Sequence, residues 1–225
     1  MDISLFDYDL PPELIAQFPS RRRDRSRLCV LDRSTGRVEH RRFADIGDYL
    51  RPGYALVVNN TRVFKARLTG RRVSGAEVEI FLVRALDEAA LSWLALARPT
   101  RRLKAGERIR FGDDSVILER HRGEGVWEVL FPGKMVRKRI ISTYGHVPLP
   151  QYIHRADVPS DLRRYQTVYA AKEKTGAVAA PTAGFHFTRS LLTNLQSKGI
   201  HVLEVTLHVG PGTFKPVSVQ RIEDH

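Results

Sequence analysis

Two stretches of this 225-residue chain set a histidine among residues that could hold a ligand. In AAPTAGFHFT (179–188), His186 lies between Phe185 and Phe187 and follows Pro181, Thr182 and Gly184. In HVGPGTF (208–214), His208 precedes Gly210, Gly212, Thr213 and Phe214. Each offers an imidazole for acid–base work, a hydroxyl, aromatic surface, and small residues that permit close backbone approach. A third polar cluster, Asn59-Asn60-Thr61-Arg62, ends an apolar run. A histidine between phenylalanines is often a hydrogen-bonded structural residue, and Asn-Asn-Thr is common turn chemistry. Two histidines at equivalent places favour a site for at least one of them. GPGTF is only a weak phosphate-loop signal. Lys215-Pro216 follows where a dinucleotide-binding helix would start, which excludes a Rossmann fingerprint. There is no Gly-x-Ser-x-Gly and no His-x-x-x-His, and one cysteine excludes a zinc knuckle, so no metal is expected. Asp113-Asp114 beside Gly112 reads as a hairpin turn.

Such loops need strands to position them. GAVAA reads as a strand and TRSLLTNLQSKG as a helix, capped by Thr188, striped by Leu191, Leu192 and Leu195, and ended by Gly199. IHVLEVTLHVG reads as a second strand with Leu203, Val205, Leu207 and Val209 on one face. That order favours a parallel right-handed crossover with the two histidine loops side by side. Ligands gather beyond the carboxyl ends of strands in open α/β sheets. YALVVNNTRVF (54–64) predicts a strand buried on both faces. RLCVLDRSTGRVEHRRF reads as a hairpin, ADIGDYL as a short helix, and DLRRYQTVYA as a helix capped by Ser160 or Asp161. PVSVQRIEDH reads as a helix start capped by Ser218. From about 65 to 147, short strands and glycine turns predict a small antiparallel barrel or sandwich, with Val78, Ile80 and Leu82 alternating inward. The expected fold is α/β (α+β): a mixed-sheet main domain, 1–64 and 148–225, with an inserted small antiparallel β-barrel-like domain, 65–147.

Composition narrows the function. At 42% hydrophobic and 28% charged, the chain is globular rather than disordered. No apolar run has the length of a membrane span, and MDISLFDYDL lacks the order of a signal peptide. Cys29, in LCVLD, reads as a buried structural thiol, and the expected compartment is the cytoplasm. Net charge is +12, from 37 Lys+Arg against 25 Asp+Glu, concentrated in RRRDRSR, RRFADIGDYLR, RPTRRLK and KMVRKR. Dense basic runs favour a polyanion, nucleic acid first, over a merely solvated surface. Arg21, Arg22, Arg23, Arg101, Arg102 and Lys104 are the candidate contacts.

FDYDLPPELIAQFP, the long run from RDRSRLCVLD to RVFKARL, GHVPLPQYI, RYQTVYA, AAPTAGFHFT and VTLHVGPGTFKPV occur in this order along essentially the whole chain. Together they resemble the S-adenosylmethionine:tRNA ribosyltransferase-isomerase family of queuosine biosynthesis. That family often has Leu where this chain has Phe185 and Pro211. The resemblance implies transfer of the ribosyl group of S-adenosylmethionine to 7-aminomethyl-7-deazaguanine at the tRNA wobble position. The products would be epoxyqueuosine-tRNA, adenine and methionine. It implies S-adenosylmethionine as co-substrate with no other cofactor, and a monomer. His186 and His208 would then be catalytic. Asn60, Thr61, Arg62, Pro181, Thr182, Gly184, Phe187, Gly210, Gly212, Thr213 and Phe214 would bind substrate. Family members continue for roughly half as much chain again, so these residues are expected to be an N-terminal two-thirds. Two other readings stay open: a non-catalytic basic RNA-binding protein, and a methyltransferase, which the missing glycine-rich strand-to-helix turn disfavours.

Overall fold

The computed structural model describes residues 1–210 and 217–224; residues 211–216, His225 and the side chain of Arg101 lie outside that description. The chain opens with short 3-10 turns and the antiparallel hairpin β1 (Arg27–Leu31) and β2 (Val38–Arg42), followed by a 3-10 helix, Phe43–Tyr49. The run from 54 to 64 is divided into β3 (Ala55–Asn59) and β4 (Arg62–Val63).

Strands β5 (Arg67–Arg71), β6 (Glu77–Ala85), β7 (Ser92–Arg98), β8 (Glu107–Phe111), β9 (Asp114–Gly123) and β10 (Val126–Leu130) then form a closed six-stranded antiparallel barrel. Their order is β5-β6-β7-β10-β9-β8, and Arg71 pairing with Arg110 returns β8 to β5. Alternate residues fill it: Val78, Ile80 and Leu82 from β6, Ala95 and Ala97 from β7, Ile109 from β8 and Val129 from β10 are fully buried. Gly70 is needed where β5 passes the β8 side chains. A Cβ there would lie 2.7 Å from Ile109 Cγ2 and 2.8 Å from Phe111 Cζ. The helix α1 (Lys134–Tyr144) adds Ile140 to the same core, and β11 (Gly145–His146) pairs outside β5. The observed class is therefore mixed α/β with an antiparallel barrel, as the alternation predicts.

The remaining elements are α2 (Asp161–Arg164), β12 (Thr175–Ala177), α3 (Arg189–Ser197) and β13 (His201–Val205). Thr188 Oγ1 accepts from Leu191 N to cap α3, and Gly199 takes φ +80° after it, both as the sequence predicts. Leu195 of α3 joins Phe43, Phe187 and Ile200 in a small core.

Several expectations are corrected. β12 and β13 are not neighbours: β12 pairs parallel with β4 and β13 parallel with β3. Asn60 and Thr61 interrupt the 54–64 run, so its two halves take different partners. The run is not buried on both faces either, because Val58 is 3% exposed and Val57 58%. Leu203 of β13 and Leu207 beyond it are likewise exposed. The helix expected over 161–170 is one turn. Gln166 instead accepts from Val63 N at 3.1 Å and donates to Val63 O at 2.6 Å, drawing the chain toward β4. Ser160 makes no side-chain cap bond. Cys29 is exposed, since the alternation of β1 turns it outward. The helix expected from Ser218 is a 3-10 turn, Ile222–Asp224, and Arg221 bridges Asp2 instead.

Candidate functional site

A cleft of ≈ 1240 Å³ opens where the barrel meets β4 and β12. Arg84 and Trp93 come from the barrel, Lys134, Arg137 and Lys138 from α1, and Arg62 and Lys65 from β4 and the residues after it. Lys134, Lys138 and Ile141 recur at helical spacing, so one face of α1 forms a wall. Gly176, His208 and Gly210 line it as well. The floor is apolar, with Val63, Val83 and Trp93, and Met135 is 73% exposed at the rim.

The charge is one-sided: among the described residues, six lysines and arginines line the cleft and no acid does. Lys65 Nζ donates to Ser142 O at 3.0 Å, and Arg137 Nη1 to Ala89 and Ala90 O at 2.9 and 2.7 Å. Among the described residues none of the six forms an ion pair. A concave cationic wall over an apolar floor suits phosphates with flat rings beneath them.

The one-turn helix α2 separates this cleft from a second cavity of ≈ 460 Å³. Leu162 lines the cleft, and Asp161 and Arg164 line the cavity. Arg155 holds Asp161 through Nη1–Oδ2 at 2.7 Å and Nη2–Oδ1 at 3.0 Å, which keeps that carboxyl below its ordinary range. Burial pushes the Tyr165 hydroxyl up to about 12.

His186 faces this second cavity, at the end of the 3-10 helix Thr182–His186. Its ring lies 5.0 Å from that of Phe43. Burial, with a smaller contribution from the Arg23 charge, holds its imidazole below the usual value. His208 faces the cleft, against the bare backbone of Gly176. The structure therefore brings His208 together with Arg62 and Gly210, and His186 together with Thr182.

The other residues singled out by sequence fall into place as follows. Asn60 is a fastener: its Nδ2 donates to Glu204 Oε2 at 3.0 Å and its Oδ1 accepts from Thr206 Oγ1 at 2.8 Å. These bonds tie the end of β13 and the residue after it to the gap between β3 and β4. Thr61 is buried, and its Oγ1 has no hydrogen-bond partner among the described residues. Pro181 starts the His186 turn. Gly184 lies under Tyr169, where a Cβ would run into the hydroxyl. Phe187 packs edge-on against Phe43 at 4.9 Å. Gly212, Thr213 and Phe214 lie outside the described residues. Arg21 is exposed and Arg22 pairs with Asp24 at 3.1 Å, while Arg23 is half-buried with its guanidinium on backbone carbonyls. Arg102 and Lys104 are exposed beside β8 and line neither cavity; of Arg101 only the backbone, in the same turn, is described.

Sequence comparison gives the family of the chain. A family model described as queuosine biosynthesis protein matches residues 3–225. The chain belongs to that family. A protein from Syntrophomonas wolfei named S-adenosylmethionine:tRNA ribosyltransferase-isomerase is 47% identical over 227 residues, covering 99% of this chain and 63% of its own length. Proteins of the same name from Flavobacterium psychrophilum and Pelobacter propionicus are 43% and 45% identical, with 100% of this chain and 66% and 65% of theirs covered. The chain thus spans slightly less than two-thirds of the length of these relatives. A crystal structure of the S-adenosylmethionine tRNA ribosyltransferase from Thermotoga maritima is 36% identical, with a TM-score of 0.37, covering 92% of this chain and 59% of that one.

Lys65, Arg84, Lys134, Arg137 and Lys138 were not among the sequence candidates. KMVRKR stood out by charge alone; reading it at helical spacing would have put Lys134 and Lys138 on one face. Arg84 gave no local signal, because it sits in a strand whose alternation concerns the barrel core.

Proposed function

We propose that the protein transfers and isomerises the ribosyl moiety of S-adenosylmethionine onto 7-aminomethyl-7-deazaguanine at the tRNA wobble position, in the cytoplasm. The observation that carries this reading is the cationic cleft beside His208, lined by no acid among the described residues, in a chain of the queuosine biosynthesis family. Arg62, Arg84, Lys134 and Lys138 hold backbone phosphates of the anticodon loop, and the apolar floor receives the unstacked base.

The chemistry asks little of the protein. The sulfonium of S-adenosylmethionine acidifies the neighbouring C5′ hydrogens, so one base starts the reaction. Adenine leaves, taking a proton, and the amine of the modified base joins the sugar. Methionine leaves as the epoxide closes. A base, a proton donor and oriented polar contacts suffice. His208 is the group we assign to proton transfer, because an imidazole can take and return a proton near neutral pH. Asn60 acts through position, by fixing the strand extension that leads to His208. His186 serves the adjoining cavity.

The test is a product assay. A protein of the relatives' full length carrying these residues is incubated with S-adenosylmethionine and an anticodon stem-loop bearing the modified base. Adenine and methionine in equal amounts, with matching mass gain on the RNA, support the reading. S-adenosylhomocysteine would instead indicate methyl transfer. RNA binding without either product would leave a non-catalytic binder.

A further inference from the structure

The ≈ 460 Å³ cavity beyond α2 has a lining of its own kind. Its size falls within the roughly 300–1,000 Å³ of small-ligand pockets. Two aromatic rings stand open at it: Phe18 is 62% exposed and Tyr152 52%. Phe18 is held in place, since the Arg155 guanidinium covers its ring at 4.2 Å and is itself fixed by Asp161 and by Gln17 O at 2.8 Å. Among the described residues Asp161 is the only acid in the lining, and Arg155 neutralises it. The Arg27 guanidinium has no hydrogen-bond or ion-pair partner among the described residues, and the Arg164 guanidinium makes one hydrogen bond there, to Ser20 O at 2.6 Å. The cavity therefore combines stacking surface with uncompensated positive charge. A cationic ligand finds no free acid there. A bare inorganic anion would leave the rings unused.

We propose that this cavity is a second nucleotide subsite, which takes a splayed-out base and its phosphate from the same single-stranded RNA that occupies the cleft. Adjacency comes from α2: Leu162 faces the cleft, and Arg164, two residues on, faces the cavity. An RNA strand crossing this single turn meets both. Stacking on Tyr152 and Phe18 holds the base, Arg27 and Arg164 hold the phosphate, and His186 offers a hydrogen bond to a base edge. The subsite rests on the RNA reading of the cleft.

The test is equilibrium binding of an anticodon stem-loop RNA and of the matching stem duplex without a loop, at several salt concentrations. Tyr152→Ala should weaken stem-loop binding about 5- to 150-fold, with an unchanged log–log salt slope and no effect on the duplex. Tyr152→Leu, which keeps apolar bulk, should behave the same way. Arg27→Ala should weaken stem-loop binding and flatten the slope by about 0.7. If these three variants bind as wild type while Lys134→Ala/Lys138→Ala loses affinity, the subsite is wrong and the cleft reading stands. If the double lysine variant also binds as wild type, or the wild type binds no RNA, the cleft reading fails and the subsite with it.

Discussion

Arg23 Nη1 donates to the backbone carbonyl of Phe185 at 3.0 Å, so the turn that carries His186 is held by an arginine 162 positions earlier in the chain. Its Nη2 donates to Arg163 O at 3.1 Å and Arg164 O at 3.4 Å. One guanidinium thus ties the N-terminal segment, the end of α2 and the histidine turn together. Arg23→Ala should lower stability by about 2 kcal/mol in urea titration, the usual scale for charged hydrogen bonds.

The same variant should move a titration. His186 is held low by burial, which outweighs the opposing hydrogen bond with the Arg23 backbone, and to a smaller degree by the Arg23 charge. Since its folded value lies below the unfolded one of about 6.5, the unfolded chain binds more protons as pH falls through that value. This contribution weakens the fold in acid and is absent above about pH 6.5. In Arg23→Ala, the imidazole carbon-proton resonance of His186 should titrate at higher pH than in wild type. An unchanged midpoint would mean that Arg23 acts on the backbone alone.

Gly184→Ala places a methyl group against the Tyr169 hydroxyl and within 2.9 Å of Thr167 Cγ2. Overpacking of this kind costs about 1–3 kcal/mol. The melting temperature should fall accordingly, and Tyr169→Phe should recover part of the loss by removing the obstructing oxygen. Recovery of nothing would indicate that the contact with Thr167 Cγ2 dominates the loss.

The Arg155–Asp161 pair is nearly out of water, with side-chain exposures of 15% and 4%. Breaking a buried pair strands a charge, so Asp161→Asn should destabilise by about 3 kcal/mol at neutral pH. The Asp161 carboxyl is held low chiefly by its bond to Arg155, against the cost of burial. Its contribution is therefore complete above the unfolded value of about 3.9 and is lost as pH falls through the lower folded value. Urea midpoints of wild type and Asp161→Asn should converge over that acid range.

Much of the barrel is legible in the sequence because each strand has one covered face, which imposes a period of two on residues such as Val78, Ile80 and Leu82. The same rule misleads at β13, where Leu203 and Val205 alternate as well but face outward. Alternation reports that two faces differ and leaves open what covers them. The α1 helix was hidden by KMVRKR, whose charge dominates the reading even though Ile140 reaches the barrel core. Of the candidate site, the two histidine loops stand out as matching motifs. Their separation into two cavities does not, because it follows from Asn60 and Thr61 dividing one run between β12 and β13. The cleft itself draws its cations from segments around 62, 84 and 134. No local pattern joins them; only the barrel closing beside β4 does.

Salt dependence gauges the electrostatic footprint. If about five phosphates are neutralised, log K against log salt for the anticodon stem-loop should fall with a slope of roughly −3 to −5. Lys134→Ala/Lys138→Ala should flatten it by about 1.5. A wild-type slope near zero would remove the basis for a phosphate-binding cleft.

The most direct measurement is cross-linking from the wobble position. An anticodon stem-loop carrying a photoreactive nucleotide there is irradiated with a protein of the relatives' full length bearing these residues, and the attached peptides are mapped by mass spectrometry. The cleft account predicts attachment to its lining, at Trp93, Met135 or the segment around His208, and loss of that attachment in Lys134→Ala/Lys138→Ala. Attachment only on the outer barrel turn around Arg102 and Lys104, unaffected by the lysine substitutions, would contradict it.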